Sequence, residues 1–190
     1  GGLQKSMKLI SNIKLAMVIG LLAFVFLIGP KSYMLNNFTD SMGTFVSDYF
    51  RMMMTTEPHS AGTFPQSWTI FFFAWWSAYA LNTGIFLARI SRGRTIKQLV
   101  LGATGASCVG CWLHFIILGY YGMNAYETGL VNVIEIFETQ GITDAIIAII
   151  KTMPLATVVL VVMLAVMAVS TVTDINSAAS TLAIVSTNDL

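Results

Sequence analysis

Four long apolar stretches with few charges are the feature that most restricts how this chain can fold. They occupy residues 13–34, 68–89, 99–121 and 155–185. A helix needs about 20 residues to cross a hydrocarbon layer, and each stretch is at least that long. Charged residues make up 10% of the 190 residues, against about 25% in an ordinary soluble domain. We therefore expect an all-α integral membrane protein with four transmembrane helices, in contact with the lipid bilayer.

Two further stretches are too polar to cross a bilayer. Apolar residues recur at helical spacing over 39–54, where Thr39 or Asp40 could cap the helix, and this pattern predicts an amphipathic helix on the outer surface. The second stretch, 126–153, predicts an outer helical segment that Gly141 interrupts.

The distribution of charge predicts how the chain crosses the membrane. Seven of the 10 Lys and Arg residues precede the first span or lie between the second and third, which places those segments in the cytoplasm and makes the chain a multi-pass protein of an inner or plasma membrane. The formal net charge of +1 argues against a nucleic-acid partner. Because both ends look cut, we expect residues 1–190 to form a single fragment of a longer carrier.

One face of the second span is lined by aromatic side chains. Trp68, Phe72, Trp75 and Tyr79 recur at helical intervals and fall within about 60° of one another, with Trp76 beside them. An interfacial belt could explain Trp68. It does not explain Trp75 and Trp76, which lie roughly 10–12 Å deeper along the helix. Ordinary helix packing and a binding face both remain open.

A binding face of this kind suits a permanently charged ligand. A trimethylammonium group has no N–H to donate, and π faces attract such a cation by about 0.5–2 kcal/mol each once water is excluded. Asn82-Thr83-Gly84 also forms poor helical sequence in the middle of the span, and carriers often build their substrate sites at interrupted helices.

A longer motif carries a resemblance to a known family. The run from Trp68 to Tyr79, followed by the run from Gly84 to Thr95, closely resembles the signature of the betaine/choline/carnitine transporter family. Gly29-Pro30 and the run from Val172 to Ser177 extend the similarity over essentially the whole chain. The resemblance implies spans seven to ten of a leucine-transporter-like fold of two inverted repeats, assembled as a homotrimer. It implies transport by alternating access, with no enzymatic activity, cofactor or metal.

The resemblance also implies roles for individual residues. Trp75 is the expected main tryptophan of an aromatic cage, and Trp68 belongs to an outer vestibule. The expected substrate-binding residues are Trp68, Phe72, Trp75, Trp76, Tyr79 and Thr83. Tyr79 stands where sodium-coupled betaine carriers usually have Trp, and the run from Ser77 to Leu81 lacks the Pro that those carriers have, which favours carnitine/γ-butyrobetaine exchange. A sodium- or proton-coupled glycine betaine or choline symporter is the alternative.

Residues on two other segments are candidates for coupling and gating. An aspartate in an apolar helix costs about 2.5–3.5 kcal/mol to insert, which makes Asp174 a functional candidate. Thr173 resembles a ligand of the family's second sodium site, and we expect Asp174 to pair with an arginine from another span. Arg89, Arg92 and Arg94 could gate the inner mouth, or could only anchor the topology.

A function of another class rests on Cys108 and Cys111, whose spacing matches a thiol redox motif. A membrane thiol oxidoreductase is therefore a second alternative. Both cysteines fall at lipid depth beside small residues, where close helix packing is the simpler explanation.

Overall fold

The computed structural model describes residues 2–57, 59, 62–91 and 93–186, and the regular structure in these ranges is helical. The side chains of residues 2–7, 82, 89, 90, 180 and 183–185 lie outside this description. The helices are α1 (Gly2–Ile28), α2 (Lys31–Ser47), α3 (Tyr49–Met54), α4 (Phe71–Ile90), α5 (Ile96–His114), α6 (Tyr120–Glu127), α7 (Val133–Gln140), α8 (Ile142–Lys151) and α9 (Ala156–Ser186). The all-α class expected from the sequence is confirmed.

Within the described residues, three helical stretches are long and apolar enough to cross a membrane. They are Lys8–Ile28, Ile96–Glu127 and Ala156–Ala179. Helix α4, with 20 residues, is about 30 Å long, but it is not one of the three. The crossing of the membrane by α4, and the total of four spans, therefore stay predictions.

The first helix ends earlier than the sequence pattern predicts. Apolar residues continue to position 34, but α1 stops at Ile28 and α2 starts at Lys31. The reason is Pro30, which has no N–H to donate and whose ring clashes with the preceding helical turn. Thr39 and Asp40 both lie inside α2, so the prediction that one of them caps the surface helix is wrong.

The interruption expected at residues 82–84 is also absent, because α4 is helical through this stretch. A glycine inside a helix costs about 1 kcal/mol relative to alanine, and Gly84 does not break α4. The irregular backbone lies elsewhere. One π turn, Gln66–Ile70, leads into α4, and another, Phe115–Gly119, joins α5 to α6. Such turns are often found at functional positions.

A glycine separates α7 from α8, as the sequence predicts. Gly141 has a φ of 97°, a conformation that glycine adopts without the steric penalty of a side chain. Helix α7 is capped by Asn132, whose side chain accepts a hydrogen bond from the Glu135 backbone N–H at 3.4 Å. The two short helices pack against each other.

The chain divides into two compact units, residues 1–38 with 103–175 and residues 39–102 with 176–190. The first unit contains an apolar core contributed by α1, α2, the second π turn, α8 and α9, with Met153 from the turn after α8. Its buried members are Leu22, Val25, Met34, Ile117, Ile150, Met153 and Val159. The second unit contains α3 and α4, and α4 carries the aromatic face predicted above.

Polar contacts join α2 to α6 in the first unit. The Tyr33 hydroxyl donates to Glu127 Oε2 at 2.8 Å, and the Tyr120 hydroxyl donates to the Asn37 carbonyl at 3.1 Å. The rings of Tyr33 and Tyr120 meet edge to face, with centroids 6.5 Å apart. Partial burial, assisted by the hydrogen bond to Glu127, raises the pKa of the Tyr33 phenol.

Candidate functional site

An unbroken series of ring contacts runs along α4 and the turn before it. Consecutive centroids are 6.3 Å apart for Phe64–Trp68, 5.7 Å for Trp68–Phe72, 6.1 Å for Phe72–Trp75 and 6.3 Å for Trp75–Tyr79. We call these five residues the aromatic ladder. Its members recur at intervals of three or four residues, and side chains at this spacing share one face of a helix.

The packing of the ladder is densest around Trp75. Phe72 stacks on Trp75 with the two ring planes 7° apart. Phe71, which lies outside the ladder, meets Trp75 at 77° with centroids 5.4 Å apart, and meets Phe72 at 82° with centroids 5.7 Å apart. Phe71, Phe72 and Trp75 therefore contact one another mutually, and we call them the three-ring cluster. Edge-to-face and offset-stacked pairs are the favoured arrangements of aromatic rings.

The rings of the ladder keep part of their surface uncovered. Relative exposure is 40% for Phe72 and 48% for both Trp75 and Tyr79. The sequence from Gly62 to Ser91 contains no Asp or Glu. A cation reaching this face would therefore meet π surfaces and no carboxylate of the same segment.

Two of the expected substrate-binding residues lie off the ladder. Trp76 is 66% exposed and makes no ring contact with any described residue. Trp76 lies 100° around the helix from Trp75, at the edge of the face that carries the ladder. Thr83 is half-buried and lies one turn beyond Tyr79 on the same side of α4.

Phe64 and Phe71 belong to the aromatic contacts but were not among the candidate residues. Each lies four residues before a tryptophan of the ladder, Trp68 and Trp75 respectively. The same helical spacing that identified the other rings would have identified these two. Phe64 was not grouped with the other rings because it lies before Pro65 and the π turn, outside the predicted span 68–89.

The candidate coupling residues belong to the first unit, whereas the ladder belongs to the second. The Thr173 hydroxyl donates to the Val169 carbonyl at 2.7 Å, one turn earlier in α9. Asp174 is exposed, and within the described part of the chain it forms no ion pair. The expected arginine partner is not among these residues.

The remaining candidates lie between and within α4 and α5. Arg92 and the side chain of Arg89 lie outside the described residues, and Arg94 is exposed in the turn after α4. Cys108 and Cys111 are free thiols exposed on α5. Within the described side chains, no group of three or more His, Cys, Asp or Glu is placed to hold a metal ion.

A family model matches the chain from end to end. The family model described as BCCT, betaine/carnitine/choline family transporter, matches residues 1–190. The matched region includes the aromatic ladder of α4 and the polar part of α9.

Proposed function

The chain belongs to the BCCT family of betaine, carnitine and choline transporters, and from this premise we propose that its aromatic ladder binds the trimethylammonium group of the substrate. Members of this family are membrane proteins that carry out secondary transport of small quaternary ammonium compounds. The observation that carries the proposal is the position of Trp75, which contacts three other rings on a segment without acidic residues.

Charge and hydration explain why such a site would use rings. A methylated nitrogen has no donor to satisfy a carboxylate, and bringing a carboxylate into the membrane interior has a high desolvation penalty. A ring face attracts the cation without any such penalty, by about 0.5–2 kcal/mol depending on how completely water is excluded. The half-exposed faces of Trp75 and Tyr79 are available for this contact.

The length of the ladder supports a path as well as a site. Trp68 and Trp75 are seven residues apart, which is about 10 Å along a helix. We propose that Trp68 receives the cation in an outer vestibule and that Trp75 holds it at the central site, with Phe72 between them. Thr83, one turn beyond Tyr79, would face the rest of the substrate. The other half of the cage would come from a span outside this chain.

The favoured substrates are carnitine and γ-butyrobetaine, exchanged by alternating access. The support is the Tyr79 phenol, which occupies the end of the ladder where betaine symporters usually have an indole, and the lack of a proline between Ser77 and Leu81. A sodium- or proton-coupled symporter of glycine betaine or choline is the second candidate, favoured by the adjacent Thr173 and Asp174 in an apolar helix. Assembly as a trimer in the inner membrane belongs to the same proposal.

The test compares Trp75→Leu with Phe73→Leu in the full-length carrier, purified and reconstituted into liposomes. Phe73 is 77% exposed and, within the described residues, makes no ring contact, so it controls for the loss of an aromatic side chain from α4. Trp75→Leu should lower carnitine affinity by about 5- to 30-fold, and Phe73→Leu should leave it unchanged. Unchanged affinity in Trp75→Leu, or equal losses in both variants, would contradict the proposal.

A further inference from the structure

We infer that Phe71 is a positioning residue, which with Phe72 fixes the Trp75 indole in the orientation that presents a ring face to the cation. The inference rests on the proposed function, since it assigns a role within the same binding site. It concerns a residue that acts through Trp75, and Phe71 itself need not touch the substrate.

The geometry of the three-ring cluster carries the inference. Phe72 lies nearly parallel to Trp75, at 7°, whereas Phe71 lies nearly perpendicular to it, at 77°. Rotation of the indole about its second side-chain torsion would tilt it away from Phe72 and lose the stacking. Rotation about the first torsion would carry the indole away from Phe71, whose centroid is 5.4 Å distant. Two neighbours at right angles thus restrain both torsions of one side chain.

Such restraint matters because Trp75 is only half-covered. An indole with 48% of its surface exposed has room to occupy more than one staggered rotamer. The attraction between a cation and a ring acts over the ring face and within about 6 Å of the centroid, so an indole in the wrong rotamer contributes little. Holding the ring in place before the substrate arrives lowers the entropy lost on binding.

Phe72 cannot supply this restraint alone. It also stacks on Trp68, with planes 18° apart and centroids 5.7 Å apart, so its own ring is shared between the two tryptophans. Phe71 contacts Phe72 and Trp75 at once. Removal of the Phe71 ring would therefore take one neighbouring ring away from Trp75 and from Phe72 at the same time.

The experiment uses the full-length carrier labelled with 5-fluorotryptophan, with the Trp75 fluorine resonance assigned by Trp75→Phe. The variants are Phe71→Leu, Phe71→Tyr as the conservative replacement, and Phe73→Leu as the control. Binding is measured with tetramethylammonium, which contains only the cationic head, and with carnitine. Thermal unfolding of each variant is followed in parallel.

Phe71→Leu should weaken tetramethylammonium binding by about three- to tenfold, the worth of one aromatic pair. It should also broaden or split the Trp75 resonance, because the indole then exchanges between rotamers. Phe71→Tyr should restore both properties, and Phe73→Leu should match the wild type. Should Phe71→Leu fail to fold, Phe71→Met keeps most of the volume without the ring and is expected to give the same two changes.

A single sharp Trp75 resonance with unchanged affinity in the Phe71 variants would overturn the inference, provided Trp75→Leu still weakens binding. If Trp75→Leu has no effect on affinity, the proposed function itself fails. The two failures are therefore distinguished by one additional variant. A loss of thermal stability in Phe71→Leu with no change in resonance or affinity would also overturn the inference, since it would assign Phe71 to packing alone.

Discussion

Trp75 stacks on Phe72 with the ring planes 7° apart and the centroids 6.1 Å apart, whereas the ring of Trp76, the next residue in the chain, contacts neither of them. The tandem tryptophans therefore occupy two different surroundings. Trp75 lies within the aromatic ladder, and Trp76 is 66% exposed. Substitution of these two residues should therefore have different effects on the affinity for a ligand held by the ladder.

We predict that Trp76→Leu lowers carnitine affinity less than Trp75→Leu does. The loss of affinity in Trp75→Leu should be at least several-fold larger than the loss in Trp76→Leu. Trp75 offers a ring face supported by three neighbouring rings, while a contact with a solvent-exposed ring is worth only about 0.5–1 kcal/mol. Equilibrium binding of radiolabelled carnitine to both variants of the full-length carrier measures the difference. Equal losses would place Trp76 in the site on the same footing as Trp75.

A second prediction concerns the packing at the end of α1. A Cβ added at Gly29 would collide with Met34 Cε and would lie 2.8 Å from the Val25 carbonyl oxygen and 3.2 Å from Tyr121 Cδ2. Gly29→Ala should therefore destabilise the protein by about 1–3 kcal/mol, as other overpacked cores do. Unfolding of the detergent-solubilised carrier by heat or denaturant provides the measurement.

The matched control is Gly20, which lies inside α1. A Cβ at Gly20 meets nothing within 4 Å, so Gly20→Ala should be neutral or stabilising by up to about 1 kcal/mol. If both alanine variants unfold at the wild-type temperature, the close approach of Gly29 to Met34 and Tyr121 does not exist in the folded carrier.

The grouping of the ladder residues could be predicted from the sequence, whereas the ring orientations could not, and both outcomes have physical causes. The helical period fixes which side chains share a face, so Trp68, Phe72, Trp75 and Tyr79 could be grouped without a structure. The orientation of each ring depends on its neighbours in space, which is why the perpendicular contact of Phe71 was not foreseen. Trp76 was placed in the cage by resemblance, and the period alone sets it 100° away from Trp75.

Helix boundaries were predicted less well where two tendencies compete. Apolar residues continue past Pro30, and this pattern predicted a span that continues to residue 34. The backbone restriction imposed by Pro30 instead ends α1 at Ile28. At Asn82-Thr83-Gly84 the error was the opposite one. Low helix propensity predicted an interruption, but the hydrogen bonds and packing of a long helix override local propensity.

A third prediction concerns the hydrogen bond between Tyr33 and Glu127, 94 positions apart in the chain. Tyr33→Phe should lower stability by about 1 kcal/mol at neutral pH. Tyr126→Phe is the control, because the Tyr126 hydroxyl forms no hydrogen bond with the described residues. Equal stability of the two variants would show that the Tyr33 contact does not help to hold α2 on α6.

The same contact predicts a dependence on alkaline pH. Burial, and after it the hydrogen bond to Glu127, raises the folded-state pKa of Tyr33 above its ordinary value of 10.0. Its contribution to stability is therefore complete below about pH 10 and is lost as the pH rises through the folded-state pKa. Ultraviolet titration of wild type against Tyr33→Phe should show one phenol ionising later than in the unfolded protein. Ionisation at the unfolded value would contradict the raised pKa.

A fourth prediction addresses Asp174. If Asp174 forms a fixed pair with an arginine of another span, carnitine exchange needs no sodium. Its rate should then be the same in sodium medium and in potassium medium. Asp174→Asn should lower that rate at least tenfold, since it leaves the paired arginine without its counter-charge, and Asp174→Glu should recover part of it. Uptake into liposomes that stops without sodium would exclude the pair and favour an ion-coupled symporter.

The central claim is that the face of the Trp75 indole attracts the cation electrostatically, and progressive fluorination of this residue tests it most directly. Each fluorine withdraws charge from the ring face and leaves the shape of the side chain almost unchanged, so the attraction described above should weaken stepwise. Carnitine affinity is measured on the full-length carrier with one to four fluorines placed at position 75. We predict that the logarithm of the affinity falls linearly with the number of fluorines, and that the same series at Trp76 gives a flat line. A flat line at Trp75 would contradict the account.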